Sequence, residues 1–262
     1  MIMKAEGSDP VLLKVEALKK SFGGVSAVND VTLAVRAGQI KAIIGPNGAG
    51  KTTFFNLVSG VFAPDSGQIF FLGHPIHGKP TYQIAEKGMS RTFQTMQPFG
   101  NMTVLENVMV GRHVRTGSNL LQAAFRTPKA RSEERKIKEA ARHWLDFVGL
   151  SDMADRPAGS LPCGQQRLLE IARALATDPK LLLLDEPAAG LNFRETEKLG
   201  KLLYQVRDLG VTLLLVEHDM SLVMEVSDEI FVLDYGRKVA EGIPKEIQNN
   251  PQVIEIYLGK SE

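Results

Sequence analysis

At 262 residues the chain has room for one large α/β domain, or for a core domain carrying a smaller insert. Its 31 basic and 30 acidic side chains leave a net charge of +1, which excludes an overall polycation built for nucleic acid but allows a local basic patch. With 44% hydrophobic and 23% charged residues it is neither a disordered polyelectrolyte nor a membrane-embedded chain: its largely apolar runs, such as Val211 to Val216, stop near six residues, where a span needs about 18. The first ten residues hold no signal-peptide core. The single cysteine, Cys163, cannot form an internal disulfide, so a reducing cytoplasmic setting is expected.

From Val11 to Phe71 the chain reads as short strands broken by turns. Val31, Leu33 and Val35 alternate with Thr32, Ala34 and Arg36, the pattern of a half-exposed antiparallel strand. Ile40 to Ile44 is mostly apolar and runs into a glycine-rich turn, followed by a helical stretch from about Gly50 to Ser59. The segment from Met96 to Ala176 has almost no β-branched runs, and its periodic pieces, Arg131 to Val148 and Gln165 to Ala176, are helical; it reads as a helical insert within the α/β core. In the second piece Leu168, Ile171, Ala172 and Leu175 form the buried stripe, which leaves Arg167, Glu170 and Arg173 mostly outside it. Between Arg112 and Lys138 lie eight Lys or Arg against two Glu, a solvated face or a surface for lipid headgroups or a partner. Leu181 to Leu184 and Val211 to Val216 are apolar runs on either side of an amphipathic segment, Glu195 to Leu209, whose Leu199, Leu202, Leu203 and Val206 share a face. Strand, helix and strand at this spacing predict a parallel sheet.

The strongest chemical signal is Gly45, Pro46, Asn47, Gly48, Ala49, Gly50, Lys51, Thr52 and Thr53, which fits G-x-x-x-x-G-K-[ST] between a strand and a helix. Glycines there let backbone N–H groups turn onto phosphates, Lys51 reaches the β and γ oxygens, and Thr52 can ligate Mg²⁺. The spacing does not fit the dinucleotide pattern G-x-G-x-x-G. Some 130 residues on, Leu181 to Leu184 delivers Asp185 and Glu186 at a strand's C-terminal end, where ligands of a doubly wound sheet bind. Asp185 is the expected Mg²⁺ carboxylate and Glu186 the expected base for the attacking water. His218 ends the next strand, from which an imidazole can reach a γ-phosphate; alone, such a histidine reads as a solvated side chain. Gln94, after Arg91, Thr92 and Phe93, can offer a neutral oxygen to Mg²⁺.

In this order the motifs resemble those of the ATP-binding subunits of ABC transporters, over nearly the whole chain. Gly45 to Thr53 looks like Walker A and Gln94 like the Q-loop. Leu161, Pro162, Cys163, Gly164, Gln165 and Gln166 look like the signature, Leu181 to Glu186 like Walker B, Ala189 to Asn192 like the D-loop, and His218 like the switch histidine. Phe22, before Gly23 and Gly24, matches the aromatic that stacks on adenine. Phe22 to Asp30, Arg91 to Gln94, Gly164 to Arg173, Glu186 to Asn192 and Val253 to Gly259 are most similar to the subfamily serving branched-chain amino acid uptake. The signature departs from L-S-G-G-Q: Pro162 and Cys163 replace Ser and Gly, removing a hydroxyl whose hydrogen bond to a charged group is worth about 1.5 to 3 kcal/mol. Gly164 and the following helix N-terminus still offer N–H donors, and the resemblance to the branched-chain subfamily, in which non-standard residues also precede Gly-Gln-Gln, implies that hydrolysis survives.

The resemblance implies one ABC ATPase domain over 11–258: an α/β P-loop NTPase (RecA-like) core with an antiparallel β subdomain (11–95 and 177–240), a helical subdomain (about 96–176) and a helical tail (243–258). It implies ATP and Mg²⁺ as cofactors. It also implies a second ATP-binding subunit, identical or not, whose nucleotide meets Leu161 to Gln166; membrane permease subunits; a periplasmic binding protein acting indirectly; and a peripheral place on the cytoplasmic face of the inner membrane. No nucleic-acid partner is expected. Another solute, such as urea, amides or lipopolysaccharide, stays open as cargo. So does a soluble ABC ATPase acting on nucleic acid or ribosomes, disfavoured by the near-neutral charge and single cassette.

Overall fold

A computed structural model describes residues 10–92, 98–112 and 128–258. The chain falls into two compact units, Met1–Thr81 with Leu203–Glu262, and Tyr82–Leu202.

The first unit opens with two long strands, β1 (Val11–Phe22) and β2 (Val25–Arg36), paired antiparallel through the Gly23-Gly24 turn. The alternation in β2 buries Val31, Leu33 and Val35 and turns Thr32 outward, as its sequence predicts. With β4 (Ser66–Phe71) and β5 (His74–Pro75) they make an antiparallel sheet in the order β2-β1-β4-β5. A mixed sheet supplies the site. Its strand β3 (Ile40–Ile44) lies between β8 (Thr212–Val216) and β9 (Glu229–Asp234), parallel to both, and β9 turns back antiparallel into β10 (Arg237–Gly242). The hairpin turns on Tyr235 (φ 42°) and Gly236 (φ 73°), the two positive φ angles that a two-residue hairpin favours. Every residue of β3 and β8 is buried, the mark of central parallel strands covered on both faces.

That burial includes Lys41, 1% exposed on β3, which no apolar-run argument anticipates. Its Nζ donates to the Ala34 carbonyl and to Glu229 at 2.8 Å each, and pairs with Glu241. Three acceptors from three strands offset the desolvation of one ammonium. The unit also holds helices α1 (Lys51–Val58), α7 (Met220–Val226), α8 (Pro244–Gln248) and α9 (Pro251–Leu258).

The second unit holds α2 (Thr81–Glu86), which starts at its border, and two parallel strands, β6 (Met89–Arg91) and β7 (Leu181–Asp185), in register Met89 to Leu181 and Arg91 to Leu183. Helix α5 (Cys163–Leu175) packs against β6, and α3 (Val104–Arg112) and α4 (Pro128–Phe147) pack on α5 and on each other. Thr103 and Glu106 start α3 with a reciprocal cap, Thr103 N–H to Glu106 at 2.8 Å and Glu106 N–H to the Thr103 hydroxyl at 3.1 Å. Buried Asn107 then ties its amide to the Phe99 N–H and to the carbonyls of Phe99 and Thr103. Gly111 lets α3 close on α5, because a Cβ there would strike the Arg173 carbonyl oxygen. In α4 the core positions are Ile137, Ala141 and Leu145, one per turn.

Helix α5 corrects the amphipathic reading of its stretch. Arg167 (5% exposed) and Glu170 (3%) are buried, as an ion pair at 3.2 Å, while Leu168 is only half-buried. The helix is covered nearly all round, so the Arg167 and Glu170 charges are offset by ion pairing within the helix, Arg173 also lying 3.9 Å from Glu170, rather than by water alone. It also begins two residues earlier than its periodicity suggests, at Cys163, with Pro162 as the extended N-cap residue (ψ 155°). Helix α6 (Phe193–Asp208) carries the chain from the second unit back to the first and buries Leu199, Leu202, Leu203 and Val206, the predicted face.

Candidate functional site

In the first unit β3 feeds the phosphate-loop sequence straight into α1. Gly45 (φ 153°) and Gly50 (φ 101°) are fixed by space as well as torsion: a Cβ on Gly45 would collide with the Leu233 carbonyl oxygen, and one on Gly50 with that of Ala27. Ala49 is buried and Gly48 stands open. Lys51, 6% exposed, folds back over the loop and donates to the carbonyls of Gly45 (2.7 Å) and Pro46 (2.9 Å). Phosphate oxygens offer the same ammonium stronger, charge-assisted acceptors, so the cradle fits the polyphosphate of ATP. Thr52 is exposed and Thr53 half-buried on the first turn of α1.

Phe22 ends β1, 44% exposed, with its ring edge-to-face on Phe62 at 5.4 Å and the Lys20 Nζ 5.4 Å from its centroid. His218 lies just past β8 with its side chain exposed and its backbone fixed. The buried Glu217 carboxylate accepts the His218 N–H at 2.8 Å, and Asp219 caps α7 by accepting from Ser221 and Leu222. Sequence reasoning missed Tyr257 on α9: burial pushes its hydroxyl pKa up, while an N–H from Gly45 pulls the other way. The link joins positions 212 residues apart, so no local signal could have found it.

In the second unit β7 is buried throughout and ends in Asp185, which is fully buried. Its Oδ2 accepts from the Arg91 guanidinium at 2.8 Å, and its Oδ1 has no hydrogen-bond partner among the described residues. An orphaned, buried carboxylate oxygen suits a hard divalent cation. The described residues hold no cluster of three or more His, Cys, Asp or Glu, so such a cation would complete its shell with phosphate and water, as Mg²⁺ commonly does. Glu186 follows, half-buried, in the left-handed region (φ 49°), a conformation costing a non-glycine residue about 1 to 2 kcal/mol. Gln94 lies outside the described residues.

The signature sequence occupies the start of α5. Leu161 is buried, its carbonyl accepts the Gln166 side-chain amide at 2.8 Å, and the Pro162 carbonyl accepts the Gln166 N–H at 3.0 Å. Cys163, Gly164 and Gln165 are half-buried on its first turn. A Cβ on Gly164 would stand 2.8 Å from the Glu195 carboxylate. Glu195 accepts the Asn192 N–H at 2.9 Å and returns its own to Asn192 Oδ1 at 3.1 Å, capping α6. The start of α5 and the turn after β7 are thereby packed together.

The family model described as "ABC transporter" matches residues 28–189, and that described as "Branched-chain amino acid ATP-binding cassette transporter" matches 237–262. The chain is 48% identical to the high-affinity branched-chain amino acid transport ATP-binding protein BraF of Pseudomonas aeruginosa, over 95% of this chain and 98% of that one. It is 45% identical to LivG, the protein of the same description from Escherichia coli K12, with the same coverage. Among solved structures, an ATP-binding cassette of an ABC transporter in its ADP conformation superposes with a TM-score of 0.83 at 35% identity, over 96% of this chain and all of that one. A dimeric bacterial cassette at 23% identity (TM-score 0.76, 89% and 99% coverage) shares the fold. No helix among the described residues is long and apolar enough to cross a membrane. With a phosphate loop suited to ATP and relatives matched over 95% of its length, the chain belongs to the ABC transporter family as an ATP-binding, ATP-hydrolysing subunit.

Proposed function

We propose that this subunit powers the import of branched-chain amino acids. The observation that carries this reading is its 48% identity to BraF over 95% of the chain, joined to the match of residues 237–262 with the branched-chain cassette model. It works with a second ATP-binding subunit and with membrane permease subunits, on the cytoplasmic face of the membrane. A periplasmic binding protein delivers the amino acid. The helical subdomain, about 96–176, docks the permease through the segment 94–110; of its apolar residues Phe99 is 49% exposed, and Met96 lies outside the described residues.

Lys51 exchanges its carbonyl acceptors for β- and γ-phosphate oxygens, and the N–H groups of Gly45 to Thr53 bind the rest of the polyphosphate. Phe22 stacks on adenine, worth about 0.5 to 1.5 kcal/mol beyond area burial. Thr52, Gln94 and Asp185 would hold Mg²⁺, which when bound neutralises charge on the β- and γ-phosphates. Glu186 takes a proton from the attacking water, and His218 donates to the γ-phosphate. Leu161 to Gln166 face the partner subunit's nucleotide, with the N–H groups at the start of α5 replacing the missing serine hydroxyl. Closure around ATP drives the permease and hydrolysis resets it.

The test is uptake of radiolabelled leucine, isoleucine and valine in cells lacking the gene, with and without the gene restored. Loss and recovery of uptake of these three is expected. Unchanged uptake of all three, with loss of urea or amide uptake, would assign the cargo elsewhere.

A further inference from the structure

Beyond the motifs, the second unit holds an arrangement those roles leave unused. Arg91 ends β6 and Asp185 ends β7, and the parallel register of the two strands brings their C-terminal ends side by side. Two further bonds fix that alignment: the Thr92 N–H donates to the Leu183 carbonyl at 2.9 Å, and the Asp185 N–H reaches the Thr92 hydroxyl at 3.4 Å. Within this frame the Arg91 guanidinium, its side chain 8% exposed, donates to the Oδ2 of a fully buried carboxylate at 2.8 Å. The other oxygen, Oδ1, is left without a hydrogen-bond partner among the described residues.

A buried carboxylate with no cation beside it is driven to turn toward whatever donor its surroundings provide. Pinned through one oxygen by a planar guanidinium, it keeps a single orientation, with the second oxygen's lone pairs available. We infer that Arg91 is a positioning residue for the metal carboxylate: by holding Asp185 through Oδ2 it presents Oδ1 to Mg²⁺ or to a water on it, and so sets the metal affinity of the nucleotide complex. The inference rests on the proposed role of Asp185. It assigns Arg91 no contact with nucleotide and no proton transfer.

The full-length protein, carrying Glu186→Gln to suppress turnover, is loaded with ATP and titrated with Mn²⁺, free ion being read by electron paramagnetic resonance. Nucleotide binding without metal is measured in parallel with a fluorescent ATP analogue in EDTA. Arg91→Met should weaken Mn²⁺ binding by about tenfold or more, the usual cost of removing a residue that orients a ligand, and leave metal-free nucleotide binding within about twofold. Arg91→Lys should recover most of the metal affinity. Adding Arg91→Met to Asp185→Asn should change Mn²⁺ affinity no further, since the residue it positions has lost its charge.

Unchanged Mn²⁺ affinity in Arg91→Met, with Asp185→Asn strongly impaired, would overturn the role of Arg91 alone. Tighter Mn²⁺ binding would also overturn it, showing that the guanidinium competes with metal. Full Mn²⁺ affinity in Asp185→Asn would remove the assignment of the carboxylate, and the inference with it. An equal loss of metal-free nucleotide binding in both Arg91 variants would mark a purely structural salt bridge.

Discussion

Cys163 and Gly190 meet within the second unit: a Cβ on Gly190 would stand 3.2 Å from the Cys163 Sγ, and Gly190 itself takes a φ of 80°. The first turn of α5 thus rests against the turn that follows β7. Gly190→Ala is expected to cost about 1 to 2 kcal/mol, from the left-handed backbone and from crowding of the sulfur. Urea unfolding measures it, and Cys163→Ala in the same chain should return only the steric part.

Cys163 is half-buried. In the proposed dimer it faces the partner's nucleotide, so a maleimide should label it in the nucleotide-free protein. ATP should protect it in a Glu186→Gln background, and labelling should slow hydrolysis by blocking closure. Equal labelling with and without ATP, in a sample shown to dimerise, would contradict the interface.

Lys51 donates to the carbonyls of Gly45 and Pro46 within its own loop. Lys51→Ala should weaken ATP binding itself, by roughly tenfold or more, because a buried charge-assisted contact worth about 1.5 to 3 kcal/mol is lost. Titration calorimetry reads the loss. Gly48→Ala, with open space around its Cβ and only the strain of a left-handed backbone (φ 82°), should bind far better than Gly45→Ala, which drives a methyl into the Leu233 carbonyl.

The buried Lys41 makes acid stability a test of the core. Burial raises the Glu229 pKa, but hydrogen bonds from Lys41 and Gln39 outweigh it and hold the carboxyl below its ordinary 4.5. A lowered folded-state pKa stabilises above the unfolded value, and that contribution is lost as pH falls through the folded one. The wild type should therefore lose stability on acidification below about pH 4.5. Lys41→Met should be less stable at neutral pH by up to about 3 kcal/mol, from Glu229 losing its ammonium partner while Glu241 keeps Lys238 at 2.9 Å, and its acid limb should be shallower. Thermal melts across pH 3 to 7 measure both.

Much of this was legible in the chain. The strands β3, β7 and β8 are buried apolar runs, and the phosphate loop carries its signal in glycines, of which Gly45 and Gly50 combine positive φ with close carbonyls that leave no alternative. Helix α6 was readable because one side meets solvent. Helix α5 was not, because a helix covered nearly all round lets Arg167 and Glu170 hide in each other's charge and blurs the stripe. Arg91 on Asp185 and Lys41 on Glu229 and Glu241 escaped for another reason. Each depends on strand register between segments 94 to 200 residues apart, which no local spacing encodes. The left-handed Glu186 was likewise invisible, since nothing in Asp-Glu-Pro specifies that torsion.

The most direct test of the account is ATP turnover by Glu186→Gln beside its nucleotide affinity. The substitution keeps shape and removes basicity, so ATP binding should persist while hydrolysis falls by roughly 10² or more. Near-normal turnover with intact binding would contradict the assignment of Glu186 as the base on which the proposed transport cycle depends.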